Sequence, residues 1–147
     1  MTDEYYMNQA LAEARIALEA GEVPIGAVVV ADSTGRILGR GHNMTEALRD
    51  VTAHAEMLAI TAAQTALGGK YLRGCTLYVT VEPCTMCAGA IGWSQISRVV
   101  YAAPDEKRGY LSVCGARSPF HPKTRVDSGI LEDQARELMQ GFFRLLR

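Results

Sequence analysis

The sequence has no apolar run long enough for a membrane-spanning helix, which needs roughly 20 residues; its longest stretches, such as Ile25 to Ala31, are far shorter. It opens MTDEYYMNQA, acidic where a secretory leader would be basic and then apolar. Cysteine is sparse, with four residues in 147. Without an export signal that even count is poor evidence for a disulfide framework, so reduced thiols are expected. No internal repeat or low-complexity tract occurs, which argues against a solenoid or a linker. These absences leave a soluble cytoplasmic protein as the expectation.

An excess of positive charge is also missing. The formal net charge is -1, an unpromising figure for a nucleic-acid binder. Its distribution is uneven, however. Residues 1–97 carry six Lys/Arg against ten Asp/Glu, and residues 98–147 carry nine against six. A basic last third permits a phosphate-contacting surface without being diagnostic of one.

What is present suits one globular domain spanning 1–147. The hydrophobic content of 48% is enough for one core and too little for two comfortable ones. Tyr6, Ala10, Leu11, Ala14, Ala17 and Leu18 recur at helical spacing, and Gly21 follows where a helix would stop. IGAVVVA (25–31) and RILGRGH (36–42) flank the turn-like DSTG and predict a hairpin. A second helix is expected from Thr52, as its N-cap, to Gly68-Gly69. CTLYVTV (75–81) reads as a buried strand, with Pro83 in the first turn of a helix over TMCAGAIGWS. SRVVYA (97–102) reads as a further strand, and 131–146 as a last helix. Residues 103–126 show no clean period and are assigned mainly to loops, which a compact domain keeps at that length when they are functional. The order implies an α/β protein with helices packed over a central mixed sheet.

The chemistry is concentrated in VEPCTMCAG (81–89). Cys84 and Cys87 stand at i, i+3 on one helix face, so both sulfurs can reach one ion. Alone, the pair is equally a redox motif, half of a structural zinc site or part of a catalytic one. A structural zinc closes with four protein ligands, whereas a catalytic zinc keeps three and leaves the fourth position to water. His54, in TAHAE, opens the second helix and is the histidine best placed to add a nitrogen. His42 and His121 lack such a setting and read as ordinary surface or loop residues. Glu56 lies at i, i+2 from His54, so an ion near both belongs at the helix end rather than beside it. Two helix N-termini converging there would favour thiolates.

H-A-E at 54–56 and P-C-T-M-C at 83–87 match the H-x-E…P-C-x-x-C signature of zinc deaminases. With VPIGAVVV (23–30), GHN (41–43), LYVTVEPCTMCAGA (77–90), SRVVYA (97–102), DEK (105–107) and FFR (142–144), the chain resembles the cytidine deaminase-like superfamily over nearly its whole length. The last three blocks are most similar to the branch that deaminates adenosine in tRNA. The resemblance implies a three-layer α/β/α fold with a central mixed sheet. It further implies one Zn2+ per chain held by His54, Cys84 and Cys87 with a water as fourth ligand, and Glu56 as proton shuttle in converting the wobble adenosine to inosine. Asn43 would bond the target base, and Asp105, Lys107, Phe143 and Arg144 would contact the tRNA anticodon stem-loop. A homodimer and a cytoplasmic location are implied as well. This chain departs from the family's common pattern at His42, Val51 and Trp93, where Trp, Pro and His are frequent.

Two other readings remain open at this stage. The same chemistry could act on a free nucleobase such as guanine or cytosine. Alternatively, Cys75 or Cys114 could close a four-ligand site in a non-enzymatic binding module, although such a site does not need Glu56. A thioredoxin-like role is weaker, because the proline precedes the cysteine pair.

Overall fold

The computed structural model describes residues 1–146; the final residue of the domain expected over 1–147 lies outside the described residues. The chain runs α1 (Asp3–Glu19), β1 (Gly26–Ala31), β2 (Ile37–His42), α2 (Thr45–Leu48), α3 (Ala55–Leu67), β3 (Cys75–Val81), α4 (Thr85–Ser94), β4 (Arg98–Ala103), α5 (Tyr110–Cys114), β5 (Arg125–Ser128) and α6 (Glu132–Leu145). The five strands form one sheet in the order β2-β1-β3-β4-β5. β1 is antiparallel to β2 and β3, while β3–β4 and β4–β5 are parallel. The expected mixed sheet and hairpin are therefore present.

β3 is the middle strand and is buried at all seven positions, as a strand covered on both faces must be. Its alternate side chains feed two cores. Leu77 and Val79 pack with Ala55, Ala59, Ile60 and Ala63 of α3, Ala88 and Ile91 of α4, and Phe120. Tyr78 on the other face packs with Tyr6, Met7, Ala10 and Leu11 of α1 and Ala135 of α6. Helices thus cover both faces, giving the three-layer α/β/α arrangement.

Two local expectations are corrected. Thr52 does not cap α3: that helix starts at Ala55 with His54 as N-cap, and the Thr52 hydroxyl donates to Asp50 Oδ1 at 2.7 Å. Pro83 stands before the N-cap Cys84 rather than inside α4. The 103–126 segment is mainly loop, as expected, interrupted by α5 and ending in the first two residues of β5. β5 has four exposed residues, RVDS, so it carries no alternating pattern that a sequence reading could detect.

One close approach sets the position of α3. A Cβ on Gly39 would lie 2.3 Å from the Ala59 carbonyl oxygen, and one on Gly41 would lie 2.3 Å from that of Ala55. Only hydrogen at these two strand positions lets the helix backbone rest on β2, and the facing alanines add little bulk. Gly41→Val should force α3 away from the sheet and lower stability by about 1–3 kcal/mol, the range for overpacking a tight core. Urea unfolding monitored by circular dichroism measures this; an unchanged midpoint would mean that α3 has room the packing denies it.

Candidate metal centre and adjoining groove

β3 ends at Val81, and the chain turns at once into Pro83 and Cys84. Cys84 is the N-cap of α4 and His54 the N-cap of α3, both with extended backbone, and neither side chain caps its own helix. Each is instead turned toward the other. His54 Nδ1 lies 3.6 Å from Cys84 Sγ and 3.4 Å from Cys87 Sγ. Among the described residues, these three form the one group of His, Cys, Asp and Glu side chains close enough to share an ion.

The donor set fits zinc. With Zn–S near 2.3 Å and Zn–N near 2.0–2.1 Å, a tetrahedral ion would hold its sulfur and nitrogen ligands roughly 3.6 Å apart. The two sulfur–nitrogen separations, 3.6 and 3.4 Å, lie at that spacing and just inside it. Three protein donors also leave one tetrahedral position to a non-protein ligand. Cys75 is buried between the sheet and α3, and Cys114 packs against the same core, so neither joins the group. Among the described residues, the closed four-ligand alternative is not built.

The electrostatics divide the thiols. A hydrogen bond from Cys87 holds Cys84 down at about 4, assisted by His54. The same shared proton and its own burial push Cys87 far above the usual thiol range. The pair therefore behaves as one thiolate and one thiol. The hydrogen bond with Cys84 also raises His54. Glu56, in the first turn of α3 and only 4% exposed, is pushed up to about 7 by burial, with the Cys84 charge adding to the effect.

Asn43 follows β2 and is 7% exposed. Its backbone N–H donates to Ile25 O, and its Oδ1 accepts from Thr45 N at 3.4 Å. Asp105 and Lys107 lie in the β4–α5 connection, where they line a groove of about 850 Å³ shared with Val81, Arg108 and Phe143. Asp105 Oδ1 accepts from the backbone N–H groups of Lys107 and Arg108, so its carboxylate shapes the turn. Phe142 is buried, whereas Phe143 is 45% exposed on the groove wall. Arg144 borders a smaller hollow beside it, with Met139 and Gln140.

Two buried carboxylates escaped the sequence reading. Glu22 caps α2, accepting from Glu46 N at 3.0 Å and Ala47 N at 2.8 Å. Glu82 accepts from Asp105 N and Leu111 N, both at 3.1 Å. The one available signal was an acidic residue set between the all-buried run CTLYVTV and Pro83.

Residues 1–103 match the model of the cytidine and deoxycytidylate deaminase zinc-binding region. A tRNA-specific adenosine deaminase of Bacillus subtilis is 47% identical over 99% of this chain and 91% of its own length. A solved structure from work on A-to-I editing by tRNA:A34 deaminases at the wobble position superposes with a TM-score of 0.83 at 46% identity, covering 91% of this chain and 98% of that one. A guanine deaminase from Nitrosomonas europaea superposes at 0.81 with 28% identity, covering 96% of this chain and 84% of that one.

Stripped of metal at neutral pH, Cys84 should be alkylated well before Cys87, because it is the more exposed and carries the thiolate. Zinc should suppress both reactions. Fragment mass spectrometry after timed iodoacetamide treatment reads the order, and equal rates would contradict the unequal division of the proton.

Proposed function

The chain belongs to the cytidine and deoxycytidylate deaminase zinc-binding family, and from that premise we propose that it hydrolyses the wobble adenosine of a tRNA, adenosine-34, to inosine. The observation that carries the chemistry is a buried Glu56 beside a donor set of three, with a fourth position left for a non-protein ligand. A metal serving the fold alone needs no such carboxylate. The extent of the likeness points to the substrate. The family model ends at residue 103, but likeness to the Bacillus protein continues through the segment that builds the groove.

In this reading His54, Cys84 and Cys87 hold one zinc in a catalytic unit that takes in the whole chain. Bound there, zinc supplies a Lewis acid of the kind that brings the pKa of water from 15.7 to about 7. Glu56 would take one proton from water and deliver it to N1 as the water oxygen bonds to C6; it would then take the proton of the new C6 hydroxyl and pass it to the departing amine, leaving the C6 carbonyl. Adenosine and water become inosine and ammonia. Asn43, its oxygen engaged by Thr45, offers its amide N–H groups to the base. Lys107 and Arg144 neutralise phosphates of the anticodon stem-loop, Phe143 gives an exposed ring for a base to stack on, and Asp105 sets the turn that presents Lys107.

A second copy of the chain completes the assembly. α4 carries no charged residue, yet Met86, Gly89, Ala90 and Trp93 form an outward stripe on which Trp93 is 86% exposed. An uncharged helix with an open face is one prepared for a partner. Among the described residues no helix is long and apolar enough to cross a membrane, and cytoplasmic tRNA is the substrate pool this reading requires.

The superposition on a guanine deaminase keeps a free base as the competing substrate. Purified zinc-loaded chain should form inosine in a tRNA bearing adenosine at the first anticodon position, with binding that weakens steeply as salt rises. Ammonia from guanine alone would replace the substrate and keep the site. Glu56→Ala should retain about one zinc per chain while activity falls by about 10²–10⁴-fold, and Cys87→Ala should lose the metal; full zinc in the latter would remove it from the ligand set. Trp93→Glu should shift the solution mass from dimer toward monomer, and a mass unaffected by the new charge would move the interface off α4.

A further inference from the structure

Glu82 stands where the metal-binding turn meets the groove, and nothing in the chemistry above uses it. Its side chain is 6% exposed and makes no salt bridge among the described residues. What surrounds the carboxylate is backbone. Oε1 accepts from Asp105 N and Oε2 from Leu111 N, each at 3.1 Å. A buried carboxylate satisfied by N–H donors forms charge-assisted hydrogen bonds, and losing one leaves a donor unpaired.

The neighbouring backbone is stitched to the same place. Glu82 N donates to Ala103 O at 2.8 Å, and Tyr110 N donates to Pro83 O at 2.9 Å. Cys84 itself makes an isolated bridge to Gly109. A Cβ on Gly109 would fall 2.1 Å from Glu82 Oε2 and 2.5 Å from Asp105 O. Gly109 has an ordinary negative φ of -64°, so glycine is required there by lack of space. The 105–111 loop, counting the first two residues of α5, is thus folded around one carboxylate, two residues from a zinc-ligand sulfur. That loop presents Asp105, Lys107 and Arg108 to the groove.

We propose that Glu82 is a positioning residue for substrate: it fixes the 105–111 loop against the Cys84 turn, and so sets the distance between the reacting centre and the groove that grips the flanking nucleotides. This rests on the RNA reading above. Glu82 touches neither metal nor base. Its effect should appear in how well a long substrate is held, while the chemical step in a bound substrate is nearly unaltered.

Glu82→Gln is the informative variant, because the amide keeps the shape but replaces one acceptor with a donor facing a backbone N–H. Three readouts are expected together. Amide exchange at Asp105 and Leu111 should accelerate by at least about tenfold, the size of effect that follows from losing one such hydrogen bond. KM for the tRNA should rise by about tenfold with kcat within about twofold. Zinc content should stay at that of the unsubstituted chain. A cycle with Lys107→Ala tests the route, since two changes acting through one loop should cost clearly less together than the product of their separate effects.

Unchanged exchange across 105–111 overturns the clamp whatever the substrate. Faster exchange with unaltered tRNA kinetics, or strict multiplicativity with Lys107→Ala, overturns the positioning role. If Glu82→Gln is too unstable to assay, Gly109→Ala intrudes on the same carboxylate from the opposite side and should give the same KM-dominated loss. If the unsubstituted chain makes no inosine in tRNA, the RNA reading has failed by itself; the clamp then stands or falls on exchange, and positioning on whether Glu82→Gln alters KM for the base that is deaminated.

Discussion

The contact between two strand glycines and a helix backbone governs where the nitrogen donor stands. Gly39 and Gly41 let α3 settle directly on β2, and His54 is the residue at that helix's N-terminal end. The sulfurs arrive by another route, through the fully buried β3 and the turn it runs into. Two separately anchored helices therefore meet end to end. A small displacement of either would separate donors that must agree to within tenths of an ångström. Core packing thereby determines ligand geometry.

Placing ligands at helix starts has a structural cost. The N-cap position is where Ser, Thr, Asp or Asn would quench orphan N–H groups, and an uncapped terminus forgoes roughly 0.5–2 kcal/mol. α3 and α4 both forgo it, having no side-chain cap bond. In return the partial positive charge at both termini faces one spot. That field suits thiolates and a carboxylate, and it explains why acidic and sulfur-bearing groups can be buried together at Glu56, Cys84 and Cys87. Burying Glu56 with no cation paired to it among the described residues makes sense where a metal ion supplies the missing charge.

The sequence discloses this centre because its parts are short strings at helix starts: H-A-E in one place and P-C-T-M-C in another. The layers are legible for a similar reason, since the buried β3 run, the α1 periodicity and the glycine stop after α3 are strong local signals. The groove is a different matter. Lys107 and Phe143 share it only because α6 packs on the α1 face of the sheet, which brings Phe143 beside the ends of β3 and β4, and no window of sequence contains that fact. Glu22 and Glu82 are hidden for a related reason. Their partners are backbone N–H groups, which every residue but proline has, so the partner leaves no trace in residue types. Thr52 was misleading because a hydroxyl near a helix start resembles a cap, yet Asp50 takes its bond. α5 and β5, at five and four residues, are too short to establish a period.

The strand order has a consequence for how the molecule comes into being. After the β1–β2 hairpin, β3 joins β1, β4 joins β3 and β5 joins β4. A nascent chain thus extends its sheet along a single growing margin and never has to part a finished ladder to admit a late arrival. Every donor of the metal trio has been synthesised by the end of α4, whereas the groove waits for α6. Since domains form from the N-terminus onward during synthesis, the topology orders two events: the ion can be captured once α4 has been made, and a grip on RNA comes only after α6 has followed.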